Sequence, residues 1–231
     1  MKMISSLAVI TVLLLGGALS RCAAGETNGV ALAIVYDTSG SMNESVPGQD
    51  GKPTPKYRIA NQALIAVTRQ IQAFITNAPA GETRRVEAGV FIFQGDGAQA
   101  VIPFGPFNPQ AIEDWAKQFS QPGGNTPLGN ALNTAGKAAL NSPLSHKHVL
   151  IITDGMNTAG PAPERVLPAL QEKAAKKGAA VSVHFIAFDT DAKVFGAVKK
   201  QGATVLGAGN ETQLNVQLSD ILQHKILLEA E

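Results

Sequence analysis

Two short runs of this chain are apolar at nearly every position, and each stops at an aspartate. Residues 30–36 (VALAIVY) run into Asp37, and residues 149–153 (VLIIT) run into Asp154. A strand with one face in water alternates apolar and polar residues. A continuous apolar run fits a strand inside a parallel sheet, covered on both faces. Parallel neighbours need crossover connections, and the intervening sequence supplies them. Residues 58–76 carry Ile59, Leu64, Val67, Ile71 and Phe74 at helical spacing. Residues 108–119 predict a helix with Asn108 as its cap and Pro109 at its first position.

Further helices are expected over 128–140, 163–177, 192–200 and 211–227, and further strands over 86–93, 181–188 and 203–206. Residues 99–104 read as a short edge strand closed by Pro103 and Pro106. The predicted fold is α/β: a doubly wound, mostly parallel sheet with one short antiparallel edge strand and helices on both faces. No repeat or internal linker divides the chain, so one domain is expected, over residues 28–228.

Composition narrows the partners. Of 231 residues 45% are apolar, enough for a sizeable core. Net charge is +1 with no basic stripe, and aromatics make up 5%. Nucleic acid binding needs concentrated positive charge or stacking platforms, so it is excluded as a reading.

Residues 1–24 read as a secretory leader. Lys2 supplies its positive start, residues 7–15 a short apolar run, and Gly16 and Gly17 a break. The run falls well short of the roughly 20 apolar residues a spanning helix needs. Two cleavage sites compete. Cys22-Ala23-Ala24 favours ordinary cleavage before Gly25, whereas Leu19-Ser20-Arg21-Cys22 resembles a lipobox except at Arg21, where a small residue is called for. The first leaves a mature chain without cysteine; the second gives a lipid anchor at Cys22, the one route to a membrane. Either way the expected location is exported, periplasmic or extracellular.

In open α/β sheets, ligands sit beyond the carboxyl ends of the strands. There the sequence places Asp37-Thr38-Ser39-Gly40-Ser41, Asp154-Gly155, and the helix-opening loop Gly123-Gly124-Asn125-Thr126-Pro127. Two carboxylates (Asp37, Asp154) and three hydroxyls (Ser39, Ser41, Thr126) are hard oxygen donors, without thiolate or imidazole. That set suits Mg²⁺ or Mn²⁺ over Zn²⁺. Two aspartates balance a dication, and an open position would accept one more carboxylate from a partner.

These residues resemble the D-x-S-x-S signature, later Thr and T-D-G turn of von Willebrand factor type A domains. The likeness extends through VEAGVFIF and HFIAFDTDAKVFGAVKKQGATV to cover residues 28–228. It implies a Rossmann-like fold and a metal-ion-dependent adhesion site at Asp37, Ser39, Ser41, Thr126 and Asp154. It also implies metal-assisted binding of a protein ligand, often through an acidic side chain. The sequence departs from the pattern at residues 43–56 (NESVPGQDGKPTPK), a long Pro/Gly-rich loop expected to overhang the metal face; it reads equally as a determinant of partner choice or as a passive surface loop.

Weaker candidates are His146 and His148, read as a solvated strand entry away from the site, and His184, read as a semi-buried histidine. Asp189 and Asp191 follow a strand at its carboxyl end, toward the metal face, and are read as caps of the helix beginning at Ala192.

The leading reading is an exported, bacterial, Mg²⁺-dependent protein-interaction module. A purely structural domain with an idle metal site is its rival. An enzyme is the third reading, with Asp37 as a phosphoryl-accepting nucleophile. That chemistry calls for a second carboxylate two residues on, where Ser39 stands, and no nucleophile or phosphate-binding motif occurs elsewhere. The chain is expected not to be an enzyme.

Overall fold

The computed structural model describes residues 27–230, so the expected leader and Cys22 lie outside the described residues. The strand β1 (Thr27–Tyr36) sits at the centre of a six-stranded sheet. Val30 to Tyr36 are fully buried on both faces, as the unbroken apolar run predicts. Its parallel neighbours are β4 (Val86–Gln94) and β6 (Leu144–Thr153). Beyond β6 follow β7 (Val181–Phe188) and β8 (Thr204–Ala208), also parallel. The antiparallel edge strand β5 (Gly97–Pro106) pairs with β4 and completes the order β5-β4-β1-β6-β7-β8. At ten residues it is no shorter than β1; Pro103 lies within it, and Pro106 is its last residue. An edge strand accommodates proline because its outward N–H has no partner to lose.

The strands are joined by helices that divide between the two faces. On one pack α1 (Lys56–Thr76), α2 (Pro109–Gln118) and α6 (Glu211–Ile221), against Leu32, Ile34, Leu150 and Ile186. On the other, α3 (Leu128–Asn141), α4 (Pro163–Lys176) and α5 (Gly196–Lys200) lie on Ala33, Val35, Ile151 and Phe185. Successive residues of each strand therefore feed two separate cores. Burying one such aliphatic side chain is worth about 1.5–3 kcal/mol, so the sheet interior is the main stabilising element.

The caps follow the sequence. The Asn108 side chain accepts a hydrogen bond from Ala111 N at 3.1 Å, with Pro109 next to it. The expected helix over 192–200 divides into a 3-10 turn, Ala192–Phe195, and α5. The closing helix changes to a π turn at Leu222–Leu227. No helix of the described residues is long and apolar enough to cross a membrane.

Residues 45–55 are an ordered ribbon and not an irregular loop. They form a two-stranded antiparallel ribbon, β2 (Ser45–Pro47) with β3 (Pro53–Pro55). Its tip is tied to the start of α6, where Gln49 N donates to Glu211 Oε2 at 2.8 Å. Thr27 opens β1 at the amino edge of the sheet, and Glu229 comes within 3.4 Å of His146 at that same edge. Both ends of the described domain thus lie opposite the strand ends that carry Asp37 and Asp154.

Candidate metal centre

β1 ends at Tyr36 and β6 at Thr153, side by side in register, so Asp37 and Asp154 leave the sheet as neighbours. Asp37 is fully buried. Its Oδ1 accepts from Ser39 N at 2.7 Å and its Oδ2 from the Thr153 hydroxyl at 2.6 Å. The chain then makes a 3-10 turn, Gly40–Asn43, which brings Ser41 Oγ to 3.1 Å from Ser39 Oγ. Ser41 Oγ donates to Asp154 Oδ1 at 2.7 Å. Four of the five expected residues are therefore joined or bridged by hydrogen bonds.

Thr126 arrives from the loop before α3. Gly40 N donates to Gly124 O at 3.2 Å, and Gly123 N to Thr38 O at 2.7 Å, which docks that loop on the first turn. Thr126 is buried, its N–H held by the Thr158 hydroxyl at 2.8 Å. A Cβ on Gly155 would lie 4.0 Å from both Ser41 Oγ and Thr126 Oγ1, so both hydroxyls flank the glycine that follows Asp154. All five residues meet at one end of the sheet. The loop after β6 is seated by Gly129: a Cβ there would collide with the Pro161 carbonyl, so only glycine permits this approach.

Electrostatics mark the same place. Burial, then the charge of Asp154, pushes the Asp37 carboxyl up to about 6, while hydrogen bonds from Ser39 and Thr153 pull the other way. Two carboxylates held this closely favour a cation between them. No group of three or more His, Cys, Asp or Glu side chains among the described residues is arranged to hold a metal ion. A metal here must draw on the hydroxyls as well, and an all-oxygen set with two carboxylates fits a hard dication.

Sequence reasoning missed Lys56. It is the last residue of the 43–56 segment and is 2% exposed. Its ammonium lies 2.8 Å from Asp154 Oδ2, 2.9 Å from Glu44 Oε2 and 3.2 Å from Asp189 Oδ2. Burial works to lower the pKa of this lysine, but the hydrogen bonds and charges of Asp154, Glu44 and Asp189 outweigh it, and the net shift is upward. Asp189 is thus no helix cap. It follows β7 with φ of 53°, a left-handed conformation uncommon for a non-glycine residue, and aims its carboxylate at Lys56. Asp191 does cap, accepting from Lys193 N at 2.9 Å. Thr153, which fixes Asp37, was read only as the end of a strand.

The histidines also differ from expectation. His148 is fully buried, not solvated, and stacks on His184 with ring centroids 5.5 Å apart. Its Nδ1 is 3.2 Å from His184 Nε2. Both lie well inside the sheet, away from Asp37 and Asp154.

The family model for the von Willebrand factor type A domain matches residues 32–157, more than half of the chain. No curated protein matches the sequence. Among solved structures, the PilB minor pilin from Streptococcus sanguinis superposes with a TM-score of 0.63 at 14% identity, covering 87% of this chain and 62% of that one. Proximal thread matrix protein 1 from the mussel byssus, solved with a zinc-occupied MIDAS motif, gives 0.60 at 16% identity, covering 86% and 48%. The vWF domain of the type V pili tip protein Mfa5 from Porphyromonas gingivalis gives 0.59 at 13% identity, covering 85% and 95%. The chain spans less than two thirds of the pilin and about half of the byssal protein. At these identities the likeness is one of fold.

Proposed function

The chain belongs to the von Willebrand factor type A domain family, and from that premise we propose that it is an exported, non-enzymatic module that binds a protein partner through a Mg²⁺ or Mn²⁺ centre. The ligands are Asp37, Ser39, Ser41, Thr126 and Asp154. The observation that carries this reading is their convergence at the carboxyl edge of the sheet, on three separate stretches of chain. Turns capped by these residues individually would not bring Ser41 Oγ onto Asp154 Oδ1.

A dication bound there would supply a hard Lewis acid with room for one further oxygen, which a carboxylate of the partner would fill. The chain's own residues do the rest. Thr153 and Ser39 N fix Asp37, the 3-10 turn presents the two serine hydroxyls, and Thr158 holds the Thr126 loop. Beside the centre, Met156 is 61% exposed, and with Val194 and Phe195 it lines a cleft of about 170 Å³. An exposed apolar side chain next to a polar centre suits a protein ligand. Pilus proteins among the structural neighbours are consistent with export. Non-enzymatic status rests on the chemistry: Ser39 stands where a phosphoryl-transfer enzyme needs its second carboxylate.

Calorimetry with Mn²⁺ or Mg²⁺ tests the centre. The wild type should bind, and Asp37→Ala or Asp154→Ala should weaken binding at least ~100-fold, since each removes a charged ligand. Absence of binding in the wild type would remove the reading even with the fold intact. Capture of a partner from the native envelope in Mg²⁺, abolished by chelator, separates an adhesive module from an idle one.

A further inference from the structure

The metal centre as described makes no use of Lys56, yet this side chain is buried and ion-paired with Asp154. Its four-carbon stem is buried, and its ammonium is ion-paired with three carboxylates, donating a hydrogen bond to Glu44 Oε2 at 2.9 Å. Its backbone N–H donates to Glu44 O at 2.8 Å, closing the base of the β2–β3 ribbon. The side chain is thus placed from both ends.

We infer that Lys56 is a positioning residue for the metal centre: a tethered cation that restricts Asp154 to presenting one oxygen and keeps the loaded site attractive to a carboxylate. This rests on the metal reading proposed above. Asp154 Oδ1 faces Ser41 and the cradle, whereas Oδ2 faces the ammonium. For Asp154 to chelate with both oxygens, the contact to Lys56 must break. The charge count points the same way. Asp37 and Asp154 alone would neutralise a dication, but Lys56 leaves the inner set one charge positive. Glu44 and Asp189, 70% and 39% exposed at their side chains, offset this only in part because water screens them. Metal affinity is held down, and the surplus charge is offered to the partner's acidic side chain.

The test is Mn²⁺ calorimetry on the wild type, Lys56→Met and Asp189→Asn, each checked for folding by circular dichroism. Removing the competing charge in Lys56→Met should tighten Mn²⁺ at least about tenfold. Asp189→Asn keeps shape and tolerates the left-handed backbone. It frees Lys56 to bear more fully on Asp154 and should weaken Mn²⁺ about threefold. A purely structural lysine would give unchanged or weaker binding in Lys56→Met. That result, or unchanged or tighter binding in Asp189→Asn, overturns the role of Lys56 while leaving the metal centre standing. If Lys56→Met does not fold, Asp189→Asn decides alone. No Mn²⁺ binding by the wild type removes both readings.

Discussion

Two of the places where the domain buries basic side chains treat them in opposite ways. At the carboxyl edge, Lys56 is 2% exposed and stays charged because three carboxylates surround it. Farther down the same sheet, His148 and His184 are 0% and 3% exposed and stay neutral. Burial, then the neighbouring His184 and His146, lowers His148 to about 3. Burial and then Lys225 lower His184 to about 4. Glu229 lies 3.4 Å from the His148 Nε2 and is half exposed. Burial alone removes charge; a buried charge survives where acceptors match its protons.

The sharpest way to break this contrast is to remove the lysine. Lys56→Met should cost about 3–5 kcal/mol in urea denaturation without metal, because it leaves the buried Asp154 carboxylate without its ion-pair partner. Much of that should return in the Lys56→Met/Asp154→Asn double variant; strict additivity would show that the pair is not coupled.

Acid acts on the other member. Both histidines have folded pKa values below the unfolded 6.5, so the folded state binds fewer protons and stability falls as pH drops below about 6.5. The loss runs down to about 4 for His184 and about 3 for His148. Each contributes about 1.4 kcal/mol per pH unit in that window. Asp37 opposes it: its folded pKa is raised, so protonation from about 6 toward 3.8 favours the folded state. Denaturation midpoints between pH 7 and 4.5 should therefore fall, and fall faster in Asp37→Asn.

The smallest effect is expected from His148→Leu/His184→Leu. Replacing both members of a neutral pair should change stability at pH 7 by less than about 1.5 kcal/mol while flattening the acid slope.

The same contrast explains what the sequence could convey. β1 and β6 were legible because strands buried on both faces must be apolar throughout, and the two aspartates were legible because polarity returns abruptly there. His148 misled because an H-x-H pattern reads as solvated. It is buried by the closing helix, more than 70 residues later, which covers that end of β6. Lys56 was illegible for a related reason. Its meaning depends on Asp154 and Asp189, brought near only by the sheet order. The β2–β3 ribbon was missed because two three-residue strands rich in proline show no periodicity; its cross-ties to Glu211 and Glu44 hold it.

Thr27 and Glu229 lie at one pole of the domain and Asp37 and Asp154 at the other, with the ten residues of β1 between them. That span is roughly 33 Å of extended chain. A pull between a tether at either chain end and a ligand at the far pole would load the strands lengthwise. Hydrogen bonds of β1 to β4 and β6 would then resist in shear, many at once, rather than parting one by one as in peeling. Along the line from Thr27 and Glu229 to Asp37 and Asp154, the domain meets load with strands in shear.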